Sequence, residues 1–133
     1  MQMLLSVGHL IDERLNAALD PHGLSLPKLT VLQNLVLAGG TLPLGVLSER
    51  QGCVKSNITQ LVDRLEGDAL VRRVPDLDDR RSVLAAITDE GRKRYWTGRQ
   101  ALDAAERQIL GGLSESDRAQ LVGLIGRFAR GAG

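Results

Sequence analysis

The sequence predicts a mainly α-helical single domain carrying one small β-hairpin. Three observations lead there. Aliphatic residues recur at spacings of three and four over most of the chain. Aromatics make up only 2% of it, so the core must be built from Leu, Val, Ile and Ala, a mix that suits helices. Two β-branched or apolar segments, LVRRV (70–74) and SVLAAI (82–87), bracket a dense run of charge and read as two antiparallel strands. A length of 133 residues suggests one domain with a genuine core. The 43% of apolar residues include no run near the roughly 18 that a membrane span needs. The N-terminus lacks the basic, apolar and cleavage regions of a signal peptide. Cys53 has no second cysteine to pair with, which points to a reducing, cytoplasmic setting. A net charge of +1 neither requires nor forbids a nucleic-acid partner.

Each element follows from local signals. Residues 3–19 place Leu4, Val7, Ile11, Leu15 and Ala18 on one face of an amphipathic helix, interrupted by Pro21, His22 and Gly23. Ser25 caps a second helix, with Pro27 tolerated in its first turn. Leu29, Leu32, Leu35 and Val36 continue that helix to Gly39-Gly40. A short helix, Leu44 to Gln51, ends at Gly52, and another follows within KSNITQLVDRLEG (55–67). Two helices joined by a short Gly-containing turn form a helix-turn-helix pattern. On a wheel of about 100° per residue, Ile58, Leu61, Val62 and Leu65 share one side of the second helix. Ser56, Gln60 and Asp63 point opposite, flanked by Lys55, Asn57, Thr59 and Arg64. A merely solvated helix usually carries Glu and Lys there, not short hydroxyls and amides. After the hairpin, Thr88 caps a long helix reaching about Leu110, with Asp89 and Glu90 in its first turn. Gly111-Gly112 breaks it. Ser114 with Asp117 forms a capping box, and Leu121, Leu124, Ile125 and Phe128 line a last helix. A helix-turn-helix followed by a hairpin is a winged helix, and the flanking helices form an extra module.

The run from 47 to 92, LSERQGCVKSNITQLVDRLEGDALVRRVPDLDDRRSVLAAITDEGR, resembles the MarR family of bacterial transcription regulators. That family carries a Leu-Ala-Glu-Arg-like helix, a Gly turn and Ser-x-x-Thr-x-Leu-Val-x-Arg-Leu. A Leu-Val-x-Arg strand, an Asp-x-x-Asp-Arg-Arg wing and a Leu-Thr-x-x-Gly helix entry follow. Here Ile87 replaces the Leu before Thr88. Val54 stands where a capping Ser or Thr is usual, which leaves Ser56 as an alternative cap, and Cys53 stands where Val is commoner. The resemblance implies a winged-helix DNA-binding lobe at about 25–92, with dimerisation helices at about 1–20 and 89–130. It also implies a cytoplasmic homodimer that binds pseudo-palindromic double-stranded DNA, acts as a repressor and is released by a small aromatic or phenolic effector. No enzymatic activity, cofactor, metal or membrane contact is expected.

The resemblance assigns DNA contacts to Lys55, Ser56, Asn57, Thr59, Gln60 and Arg64, whose polar groups suit the donor/acceptor code of the major groove. It also accounts for PDLDDRRSV (75–83). A wing tip that enters the narrow, strongly negative minor groove needs a cation, and Arg80 is the candidate. Arg81 is expected at the wing's base, held by Asp78, Asp79 or Asp63, with Arg72 and Arg73 as candidate phosphate contacts. Residues 55–81 hold six Lys/Arg and six Asp/Glu, so placement rather than bulk charge must attract DNA. The family's effector pocket lies where the first, second and fifth helices meet. His9, Arg14, Tyr95 and Trp96 are candidates there for an aromatic acid. His9, His22 and Cys53 lack metal-ligand spacing. Two alternative functions are a thiol switch at Cys53 and a winged helix used for protein contact.

Overall fold

The computed structural model describes residues 2–51 and 57–132. Among these the chain forms α1 (Gln2–Leu19), a 3-10 turn (Asp20–His22), α2 (Leu26–Leu37), β1 (Thr41–Pro43), α3 (Leu44–Arg50), α4 (Ile58–Gly67), β2 (Val71–Pro75), β3 (Val83–Ile87), α5 (Asp89–Ile109) and α6 (Glu115–Ala132). The architecture is mainly helical with a small antiparallel sheet, as the sequence predicts. The helix ends follow from local chemistry. The Ser25 side chain accepts from the Lys28 amide, and Gly23, at φ +69°, supplies the left-handed residue that ends the preceding turn. The Thr88 hydroxyl accepts from the Gly91 amide and donates to the Ala69 carbonyl at 2.7 Å, tying α5 to the end of α4. Ser114 and Asp117 form a reciprocal box at 3.2 and 3.0 Å.

The hairpin is part of a three-stranded sheet of order β1-β3-β2. β1 pairs with β3 through Thr41–Ala86, Leu42–Ala85 and Pro43–Leu84. A strand this short shows too little alternation to stand out in sequence, and Pro43 is tolerated because β1 lies at the sheet edge. β2 runs alongside β3 from Val71–Ile87 to Pro75–Val83, so the hairpin projects beyond the part of the sheet that β1 supports.

One aliphatic core joins the elements from α1 to α5. Leu29, Val31, Leu32 and Leu35 of α2 pack with Leu47, Leu61, Val62, Leu65, Leu70 and Val71. Gln51, a buried polar side chain, is bound at both ends. Its Oε1 accepts from Asn34 Nδ2 at 3.3 Å, and its Nε2 donates to the Pro27 carbonyl at 3.4 Å. The end of α3 is therefore pinned to α2. Two glycines let α5 lie close to this core. A Cβ on Gly91 would collide with the Leu70 carbonyl, and one on Gly98 would come within 2.6 Å of Leu24 Cδ1.

Candidate nucleic-acid interface

α4 shows which side chains the fold turns outward. Leu61, Val62 and Leu65 are buried and Ile58 is half-buried, leaving Thr59, Gln60, Asp63 and Arg64 exposed on the outer face. The helix begins later than the sequence suggests. Its first residue is Ile58, and the cap is Asn57, not Ser56. Asn57 Oδ1 accepts from the amides of Thr59 at 3.1 Å and Gln60 at 3.3 Å. The Asn57 side-chain oxygen thus holds the first turn of the helix. Lys55 and Ser56, like Cys53 and Val54, lie outside the described residues.

Two of the wing's three acids shape its tip. Asp76 Oδ1 accepts from the Asp78 amide and Asp79 Oδ1 from the Arg81 amide, each at 3.0 Å. The Asp79 carbonyl accepts from the Ser82 amide at 3.0 Å. These are Asx-type bonds, which make a turn from carboxylates placed two residues before a free amide. Arg80 and Arg81 are both exposed, and neither forms an ion pair among the described residues. The Arg81 guanidinium is therefore held by none of Asp78, Asp79 and Asp63, against the expectation from sequence. Asp79 reaches only its backbone, and Asp63 pairs with Arg73 at 2.7 Å.

Arg73 is correspondingly less available to phosphate than its sequence context suggests. Nη1 lies 2.9 Å from Glu66 Oε1, and Nη2 donates to the Thr59 carbonyl at 3.2 Å. The Arg73 backbone amide donates to Glu66 Oε2 at 3.0 Å. Partial burial opposes the charge, but the bonds and fields of Asp63 and Glu66 outweigh it and hold the guanidinium's pKa above the usual arginine value. Its neighbour Arg72 is exposed and points to the opposite face of β2.

The fold brings one further cation to this surface. A cleft of about 250 Å³ between the start of α2 and α4 is lined by Lys28, Ser25, Asn57, Gln60 and Arg64, among others. Lys28 also pairs with Asp68 at 3.4 Å. Nothing local in the sequence marks Lys28, because the α4 residues it joins lie some thirty positions away.

The four effector candidates are not gathered into one cavity within the chain. His9 pairs with Glu13 at 3.0 Å on exposed α1, and Arg14 is exposed. Tyr95 is buried while Trp96 is 58% exposed, their rings meeting edge to face at 5.1 Å. A cleft of about 340 Å³ beside the α1–α2 turn is lined instead by His22, Glu90, Lys93, Arg94 and neighbours. There Arg94 donates to the His22 carbonyl at 2.9 Å. Among the described residues no group of three His, Cys, Asp or Glu is placed to hold a metal, and no helix is long and apolar enough to cross a membrane.

Comparison with known proteins gives one answer. A family model described as "MarR family" matches residues 22–82. The HTH-type transcriptional regulator PecS of Dickeya dadantii is 31% identical over 129 residues, covering 96% of this chain and 78% of that protein. The HTH-type transcriptional repressor MdtR of Bacillus subtilis is 28% identical over 125 residues, 92% of this chain and 78% of MdtR. An HTH-type regulator of the same organism, YfiV, is 39% identical over 72 residues, 54% of this chain but only 44% of its own length. Among solved structures, the organohalide-sensing regulator RdhR bound to 2,4-dichlorophenol superposes with a TM-score of 0.82 at 19% identity, over 96% of this chain and 75% of that one. A mutant MarR from E. coli complexed with operator DNA gives 0.79 at 21% identity, over 96% and 91%. At these identities the structures show a shared winged-helix fold.

Proposed function

Since this chain belongs to the MarR family of transcription regulators, we propose that it binds a pseudo-palindromic operator as a homodimer, represses transcription there, and leaves the DNA when a small aromatic or phenolic effector is bound. One observation carries the reading. The polar outer face of α4, with Thr59, Gln60 and Arg64, lies beside a wing whose tip arginines have no carboxylate partner among the described residues. An α-helix fits the major groove, and a cationic hairpin suits the minor groove next to it. A winged helix built for protein contact would present apolar residues on that face.

The dimer is supported by the chain's uncovered apolar surface. Leu4, Leu5, Val7 and Ile11 of α1 are exposed, and so are Val122, Leu124, Ile125 and Phe128 of α6. Large apolar side chains left uncovered on two helices in this way suit an interface with a second copy. The division of labour follows: residues of about 25–92 form the DNA-binding lobe, and those of about 1–20 and 89–130 join the subunits. The operator complex of E. coli MarR and the dichlorophenol complex of RdhR support the DNA and effector parts of the proposal.

The test is binding of the purified protein to its own upstream DNA, with and without a panel of phenolic acids and with peroxide. Steeply salt-dependent binding that the phenolic acids relieve is expected. Release by peroxide alone would instead favour the thiol switch at Cys53. Binding that shows neither salt dependence nor a preference for the upstream fragment would refute the reading.

A further inference from the structure

We propose that Arg73 is a positioning residue that locks the wing onto the recognition helix α4, fixing the spacing between the major-groove and minor-groove elements of each half-site. The inference rests on the DNA-binding reading above and adds a determinant of specificity that touches no base.

The geometry is a three-point clamp. From β2, one guanidinium reaches the Thr59 carbonyl at 3.2 Å, the Asp63 carboxylate at 2.7 Å and the Glu66 carboxylate at 2.9 Å. These acceptors are spaced four and three residues apart, a single stripe about 10 Å long on the helix. The second oxygen of Glu66 takes the Arg73 amide, so one carboxylate holds both the backbone and the side chain of the strand. Among the described residues, Arg73 makes every side-chain hydrogen bond and ion pair between β2 and α4. A planar fork with five fixed donors suits acceptors spread along a helix; a compact lysine ammonium on a flexible stem fits them less well. The cluster's formal charge is one cation against two carboxylates, which does not suit a phosphate contact.

Leverage explains why such a clamp matters. The wing tip lies about four residues beyond Arg73, two of them in β2, a reach of at most roughly 13 Å. A pivot of about 15° at the base would sweep the tip through about 3.4 Å, the rise of one base pair. β1 steadies β3 at Leu84–Ala86, the rungs that include Ala85 opposite Arg73, but it does not touch β2, which Arg73 alone ties to α4 by polar contacts among the described residues. The clamp sits where the lever turns.

The experiment uses the full-length protein on its footprinted upstream fragment and on a derivative with one base pair inserted, in each half-site, between the segments protected by α4 and by the wing. Wild type is expected to lose about tenfold or more in affinity on the inserted DNA, the scale of one lost groove contact. In Arg73→Ala and Arg73→Lys, binding to the natural fragment weakens, while the insertion penalty falls to about twofold. Glu66→Gln, which keeps side-chain size and is gentler on folding, is expected to lower the penalty in the same direction. Loss of stability alone would not change tolerance to the insertion. The salt slope of Arg73→Ala should equal that of wild type; a slope lower by about one would place Arg73 on a phosphate and overturn the proposal. An unchanged insertion penalty in Arg73→Ala and Glu66→Gln refutes this inference alone. Absence of any wild-type footprint removes the DNA-binding reading and this inference with it.

Discussion

Asn57 is where the structure and the sequence assign different jobs to one side chain, and substitution separates them. As a cap it satisfies two amides, Thr59 at 3.1 Å and Gln60 at 3.3 Å, at the start of a helix of only 10 residues. A helix that short does not sustain itself, because nucleating its first turn is unfavourable. Removing an Asn cap with Ala costs about 1 kcal/mol, about fivefold in the equilibrium that closes the turn. For a chain of this size the unfolding midpoint should fall by about 4 °C. Asn57→Ser keeps an acceptor within reach of the same amides and should stay within a few tenths of a kcal/mol of wild type. Three measurements separate the roles: thermal unfolding, amide exchange at Thr59 and Gln60, and affinity for operator against random DNA. Asn57→Ala should exchange faster at both amides and bind operator more weakly, because Thr59 and Gln60 are no longer held in place. Asn57→Ser should restore all three. If Asn57→Ser folds like wild type but discriminates between DNAs as poorly as Asn57→Ala, then Asn57 reads a base. If Asn57→Ala loses no stability, the cap contributes nothing.

Other substitutions test separate parts of the molecule. Gln60→Ala should weaken operator binding more than random-DNA binding, by about 1–3 kcal/mol in discrimination; equal losses in a competition assay would place Gln60 on the backbone. Because neither Arg80 nor Arg81 has a carboxylate partner among the described residues, each change to Ala should leave thermal stability nearly unaltered. Each should also lower the salt slope by about one, and normal binding by both mutants would reduce the charged wing to a solvated turn. Gly91→Ala drives a Cβ into the Leu70 carbonyl and to 2.8 Å from Ile87, and backbone cannot give way as a side chain can. Denaturant unfolding should show a loss of about 3 kcal/mol. Ile125→Glu with Phe128→Glu places charge on the uncovered face of α6 and should shift the protein to monomer in light scattering. An unaltered dimer would move the subunit interface elsewhere.

How far the sequence could be read depended on the distance to the partner. Ser25, Thr88 and the Ser114–Asp117 box are legible because each bond joins groups three residues apart, and spacing alone identifies it. The buried face of α4 is legible for the same reason, since Leu61, Val62 and Leu65 follow the period of their own helix. Asn57 was a near miss. A helix pattern running back to Lys55 hides a cap inside it, because Asn also suits an outward polar face. β1 was not legible: its three residues matter only through Ala85 and its neighbours, more than forty positions away. The arginines show the limit most clearly. Arg72 and Arg73 are adjacent and chemically identical, yet strand alternation turns one outward and sends the other to α4. Which of them meets Asp63 depends on the register of β2 against the helix, and composition carries no register. Residues 55–81 balance six cations against six anions, so attraction to DNA rests on the cations left without a partner once the fold has made its pairs. Asp76 and Asp79 of PDLDDRRSV are bent back onto backbone amides and the acids of α4 are matched to Arg73, which leaves Arg80 and Arg81 at the tip without an ion pair among the described residues. A sequence names the candidates for such a surface, but the tertiary pairings decide which of them still carry charge to the DNA.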